Sequence, residues 1–157
     1  MEKNEQSYYL DASSIIAYFK EEEEIHRDFL NEINRLIMRK KQNPQIKIKI
    51  PSIALAEILN KFLADSDLIN KINELKKLFE KLEADFPSPK KDDFERVLLL
   101  MQEDEYLRNE THDALFIAQM LNDTTTKWVY TTDNLIAKHA SSNAIKVYPE
   151  KRRQRKK

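Results

Sequence analysis

Tyr8-Tyr9-Leu10-Asp11-Ala12-Ser13-Ser14-Ile15-Ile16 changes its pattern at one residue. The apolar run Tyr8-Tyr9-Leu10 reads as a short buried strand. Residues 12–19 read as the helix that follows it, and Asp11 stands at the join. Three more acids occupy comparable places. Asp133 follows the strand-like run Trp128-Val129-Tyr130-Thr131. Asp113 opens the apolar helix Ala114-Leu115-Phe116-Ile117-Ala118. Glu57 lies in the helical stretch after Ile46-Lys47-Ile48-Lys49-Ile50. In open α/β sheets, sites form outside the carboxyl ends of the strands. Carboxylates gathered there repel one another unless a cation sits between them. Hard divalent cations take oxygen ligands of this kind. The pattern points to a site for Mg²⁺ or Mn²⁺.

Working outward from that join, the other elements alternate. Glu21 to Glu24 reads as the solvated start of a helix, continued by Ile25, Phe29, Ile33, Leu36 and Ile37 at helical spacing. Pro44 lies in the break after it, and Ile46, Ile48 and Ile50 then alternate with polar residues as in a strand. Pro51-Ser52 starts a helix. Leu68, Ile72, Leu75, Phe79 and Leu82 form a short heptad stripe, suited to packing on the domain and to a homodimer interface. Phe86 ends a very short strand before Pro87. Helices are expected over 92–107, 111–122 and 134–140, and strands over 127–131 and 144–148. Strands alternating with helices imply an α/β fold with a parallel sheet covered on both faces.

The chain has 157 residues, which suits one domain, taken as 1–149, and no internal repeat divides it. Glycine is absent, which excludes a P-loop, a dinucleotide fingerprint and a G-x-S-x-G nucleophile elbow in standard form. Cysteine is absent too, which excludes thiolate chemistry and cysteine-based zinc sites. No apolar run reaches the ~20 residues of a membrane span. The N-terminus is polar and acidic, so a cytoplasmic protein is expected. Residues 150–157 read as a disordered basic tail. Six of the 27 basic residues lie in it (Lys151, Arg152, Arg153, Arg155, Lys156 and Lys157), leaving 21 against 27 acidic ones elsewhere. Such tails bind nucleic acid or serve solubility.

Each acid also has a plain structural explanation. Asp11 and Asp133 suit helix N-caps, and Asp113 suits the first turn of a helix capped by Thr111. Glu57 sits among Ala54, Leu55, Ala56, Ile58 and Leu59, where a lone carboxylate is costly to bury, unless it lies on the outer helix face. His26, His112 and His139 have no metal-ligand spacing and read as surface residues. His112, beside Asp113, is the one of interest.

In combination the motifs resemble those of PIN-domain nucleases. Tyr9-Leu10-Asp11-Ala12-Ser13-Ser14-Ile15-Ile16 is similar to the family's opening motif, and Pro51-Ser52-Ile53-Ala54-Leu55-Ala56-Glu57 to its second. Thr111-His112-Asp113-Ala114-Leu115-Phe116-Ile117-Ala118 resembles the third, and Thr131-Thr132-Asp133-Asn134 the fourth, in family order. The likeness runs from about residue 7 to 149 and is nearest to the small VapC-type toxin ribonucleases. It implies a three-layer α/β/α sandwich around a mainly parallel sheet. It also implies RNA phosphodiester hydrolysis dependent on Mg²⁺ or Mn²⁺. Asp11, Glu57, Asp113 and Asp133 take the metal-site roles by motif match, with Asp11 and Asp113 as direct ligands. Ser13 and Thr131 match the supporting polar positions. An antitoxin partner and pairing into dimers are implied as well. Asn134 stands where many relatives carry a further acid.

Two other functions compete. A catalytically weak PIN-like RNA-binding or scaffold protein would need none of the four acids. A phosphatase of the haloacid-dehalogenase type would show Asp-x-Asp, whereas Ser13 follows Asp11 at that spacing.

Overall fold

A computed structural model describes residues 4–22, 24–63 and 67–150, with only the backbone of Leu63. The expected basic tail therefore lies outside the described residues.

The first strand, β1 (Gln6–Leu10), is central. It pairs in parallel with β2 (Ile46–Lys49) on one side and β3 (Thr126–Tyr130) on the other, and β4 (Lys146–Tyr148) pairs in parallel with β3. The order β2-β1-β3-β4 makes a fully parallel sheet. Parallel strands need crossovers, and helices supply them here. Helices α1 (Ala12–Phe19) and α2 (His26–Gln42) join β1 to β2. Then α3 (Ser52–Leu63), α4 (Leu68–Leu82), α5 (Lys91–Glu103) and α6 (Thr111–Asn122) lead to β3. The last helix, α7 (Asn134–Ser142), joins β3 to β4.

The two faces of the sheet differ by strand alternation. Tyr8, Trp128, Tyr130 and Tyr148 form an aromatic strip on one face, with Tyr8 against Trp128 at 6.5 Å and Tyr130 against Tyr148 at 5.4 Å. α2 covers it, with Phe29 against Tyr148 and Glu32 accepting a bond from the Tyr130 hydroxyl. On the other face Tyr9 meets Phe116 of α6 edge-on at 6.1 Å. α5 and α7 pack on α6. The result is the three-layer α/β/α sandwich. Ile46, Ile48 and Ile50 are all buried, as their alternation requires.

Several local readings need correction. Residues 21, 22, 24 and 25 are turn, and α2 begins only at His26. The described residues of the acidic run lie between α1 and α2 instead of starting a helix. A bond of 2.8 Å between His26 Nδ1 and the Ala17 carbonyl fixes the entry. α5 stops at Glu103, because Asp104 adopts extended backbone and caps the 3₁₀ turn Glu105–Asn109, accepting from Tyr106 N at 3.1 Å. The strand expected to end at Phe86 is reduced to a single parallel bridge between Lys49 and Asp85. Thr111 is not the cap of α6; Glu110 holds that position without a side-chain bond. Without glycine, Glu83 (φ 50°) and Ala144 (φ 63°) take the left-handed backbone conformation, each at a cost of about 1 kcal/mol.

In α4 the heptad stripe divides. Leu75 and Leu82 are buried in the core, while Ile72 is 41% exposed. Ile72, Phe79 and Phe86 line an apolar hollow with Leu55 and Leu59 of α3.

Candidate active site

The sandwich brings all four acids to one cleft. Asp11 follows the carboxyl end of β1. Asp133 lies beyond β3. Asp113 is in the first turn of α6, and Glu57 reaches in from α3. Together with Asn60 and Lys61 they line a space of about 810 Å³.

Asp11 is buried, 6% exposed. It precedes α1 but makes no side-chain cap bond to it. Its Oδ2 accepts instead from Thr131 Oγ1 at 2.8 Å and Ser13 Oγ at 3.0 Å. These hydroxyls also tie the loop after β3. Ser13 Oγ accepts from Thr132 N at 2.9 Å, and Thr131 Oγ1 accepts from Asp133 N at 2.9 Å. Two short side chains thus lock the ends of β1 and β3 around one carboxyl. Burial raises the pKa of Asp11 to about 6, aided by the Glu57 charge and opposed by the bonds from Thr131, Ala12 N–H and Ser13.

Asp133 caps α7, accepting from Ile136 N at 3.0 Å through Oδ1. The capping explanation therefore holds for Asp133 and not for Asp11. Asp133 also lies within hydrogen-bonding reach of the Asp113 carboxyl. Partial burial raises the pKa of Asp113 to about 8, and the charges and hydrogen bonding of Asp133, then Asp11 and Glu110, add to it. A helix N-terminus alone favours the ionised form. The first-turn explanation thus predicts a shift of the wrong sign. The neighbouring acids thus disfavour a charge on Asp113.

Glu57 is partly exposed, and its Oε2 lies 3.3 Å from His112 Nδ1. The exposed outer-face explanation for Glu57 fails because the side chain turns to the cleft. Sequence reading missed Asn60 and Lys61. They stand three and four residues beyond Glu57, so helical spacing alone puts them on its face.

The donor set is oxygen, which suits Mg²⁺ or Mn²⁺ better than a softer ion. Among the described residues, no three or more His, Asp or Glu side chains form a ready ligand set. Mg²⁺ keeps several waters and takes one or two carboxylates directly. A looser ring of acids therefore fits a hydrated dication.

The PIN domain family matches residues 8–147, so the chain belongs to that family. Solved structures share the fold. VapBC2 from Rickettsia felis, bound to a DNA fragment from its promoter, superposes with TM-score 0.63 and 15% identity, over 90% of this chain and 97% of that one. VapBC-1 from nontypeable Haemophilus influenzae gives TM-score 0.58 and 13% identity, over 90% and 96%. DNA-bound VapBC from Salmonella typhimurium gives 0.58 and 14%, over the same shares. No curated protein matches the sequence. Among the described residues, no helix is long and apolar enough to cross a membrane.

Proposed function

We propose, from its membership of the PIN domain family of nucleases, that this chain is a divalent-metal-dependent endoribonuclease that hydrolyses RNA phosphodiester bonds. The observation that carries the reading is the meeting of Asp11, Glu57, Asp113 and Asp133 in one cleft, where burial and neighbouring acids raise the pKa of both Asp11 and Asp113. Acids whose charges are held back in one cleft are acids arranged for a cation.

Asp11 and Asp113 would hold Mg²⁺ or Mn²⁺ directly, with Glu57 and Asp133 acting through its waters. The bound ion supplies an activated water and neutralises charge developing on the phosphate. Ser13 and Thr131 keep Asp11 in one orientation through the bonds described. Asp133, anchored by its cap to α7, orients the attacking water. Lys61 places a cation at the rim of an otherwise acidic cleft, where a phosphate must enter.

The cellular role follows as part of the same proposal. The fold is shared with chains of VapBC complexes, which supports a toxin of VapC type, paired with an antitoxin protein and acting in the cytoplasm. Residues 1–149 form its one catalytic domain. The half-exposed apolar surface of α4, including Ile72, supports a homodimer. The six basic residues from Lys151 to Lys157 tether RNA to an acidic body without choosing the cleavage site.

A catalytically weak RNA-binding or scaffold protein is favoured by one observation, the lack of a ready three-ligand set among the described residues. It gives no reason to keep Asp113 pressed against Asp133.

The deciding experiment is RNA cleavage with Mg²⁺ or Mn²⁺, with chelator, and with Asp11→Asn. Cleavage should stop with chelator and fall at least ~100-fold in the variant. Cleavage that persists in both would reject the reading.

A further inference from the structure

One titratable residue of the cleft, His112, has no part in the chemistry above. It precedes Asp113 in the first turn of α6 and lines the same space. Its Nδ1 stands 3.3 Å from Glu57 Oε2. A carboxylate only accepts, so Nδ1 carries the hydrogen and donates it. Among the described residues this is the only hydrogen bond to the Glu57 side chain. It is also the only side-chain hydrogen bond between α3 and α6 among them.

The two ends of the bond differ in freedom. Glutamate has more rotamers to lose than histidine. Glu57 is partly exposed, and its charge and that of Asp11 oppose each other. Without a partner, repulsion and rotamer entropy would carry the Glu57 carboxylate out to water. The backbones on both sides are fixed. Ala114, Phe116 and Ile117 anchor α6 in the core, and Ala54 and Ile58 anchor α3 around Glu57. The imidazole therefore decides where the carboxylate rests. The contact adds little to folding, because it is long and the His112 side chain is 60% exposed. Its effect is on direction.

We propose that His112 is a positioning residue of the metal site, which holds Glu57 turned into the cleft without touching the ion itself. The assignment rests on the metal-dependent ribonuclease reading above and deepens it. The imidazole occupies Oε2 of Glu57, which leaves Oε1 to accept from water in the cleft.

The test is a double-mutant cycle on the full chain, with Mn²⁺ alone as the probe. Free Mn²⁺ is read from its EPR signal, and melting curves are taken without metal. His112→Ala should weaken Mn²⁺ binding about tenfold, the lower end of the loss when a metal-site orienting partner is removed. It should leave Tm within about 2 °C of wild type, as for any exposed pair. His112→Asn, whose amide N–H can stand in for Nδ1–H, should recover most of the affinity. In a Glu57→Ala background, His112→Ala should cost nothing further, because its partner is gone.

Wild-type affinity in His112→Ala would overturn the assignment. So would a loss that His112→Asn does not recover, or one that persists beside Glu57→Ala, since His112 would then act by another route. A large fall in Tm would make the bond a structural one and overturn it too. RNA cleavage by wild type with Mn²⁺ is measured in parallel. If RNA is cleaved while His112→Ala binds the ion normally, the ribonuclease reading stands and this assignment falls. If the cycle holds but no RNA is cleaved, His112 keeps its role and the ribonuclease reading falls. If wild type binds no Mn²⁺, both fall.

Discussion

Asp113 lies in the first turn of α6, and Asp123 caps its carboxyl end. The helix dipole favours a carboxylate at the first position and disfavours one at the second, by about 0.3–1 kcal/mol. Their surroundings push the two carboxyls the other way. Partial burial and three neighbouring acids raise Asp113 to about 8. Burial also acts on Asp123, yet Lys49, Thr125 and Tyr9 bring it down to about 2. Lys49 Nζ donates to Asp123 Oδ2 at 2.7 Å and the Tyr9 hydroxyl at 2.8 Å. Thr125 donates to Oδ1 through its hydroxyl at 2.6 Å and its N–H at 3.0 Å. A tenfold change in proton affinity is worth about 1.4 kcal/mol, so direct neighbours outweigh the dipole at both ends. The lesson is one of satisfaction. At the amino end of the sheet a carboxylate is surrounded by donors. At the carboxyl end, acids face acids.

Substituting each end in turn should separate function from stability. Asp113→Asn should lower RNA cleavage at least ~100-fold. Asp123→Asn should leave the cleavage rate of folded protein unchanged, because no part of its network touches the cleft. Equal losses of activity would break the comparison.

The second test reverses the order. Asp123→Asn removes an acceptor of charge-assisted bonds and leaves Lys49 without its closest partner, so urea denaturation at neutral pH should show a loss of about 1–3 kcal/mol. Asp113→Asn should raise the stability of metal-free protein, since folding no longer has to hold back the charge of a carboxyl that is free to ionise in the unfolded chain. A metal-free Asp113→Asn less stable than wild type would return Asp113 to the role of a helix-end residue.

The sequence displays one side of this contrast and conceals the other. Asp11, Asp113 and Asp133 are visible because each sits where an apolar pattern changes period, and strand–helix alternation implies a parallel sheet. The contact between Asp113 and Asp133 is not visible, because it depends on how α6 docks beside the loop after β3. The Asp123 network joins Lys49 and Tyr9 from two other strands, so no local pattern marks it. The end of α5 is concealed for a similar reason. Asp104 takes bonds from Lys138 and His139 of α7, and those partners appear only after folding.

Acidity and alkalinity should probe the two ends separately. Asp123 has a folded pKa below its ordinary 3.8, so its contribution is present above 3.8 and lost as pH falls toward about 2. Asp113 has a folded pKa above 3.8, so the folded protein binds the extra proton. Metal-free stability should therefore fall as pH rises from 3.8 to about 8, with Asp11 adding its share below about 6. Melting temperatures across this range should lose the alkaline decline in Asp113→Asn and the acid limb in Asp123→Asn. A metal-free profile that rises from pH 4 to 8 would contradict the raised pKa values.

The smallest effect is the most selective. A ligand that binds only the folded state stabilises by RT ln(1 + [L]/Kd), about 1 kcal/mol at five times Kd. In a domain of this size that is a rise of about 2–4 °C in Tm. Mg²⁺ should give this rise in wild type and in Asp123→Asn alike, since the amino-end network offers the ion no vacancy among its donors. Asp113→Asn should gain less, because it has one charge fewer to offer and less repulsion to relieve. The measurement is best made near pH 8, where the Asp113 proton competes least with the ion. An equal gain in Asp113→Asn would mean that Mg²⁺ binds elsewhere on this acidic surface, and the held-back charge of the cleft would then need another counterpart.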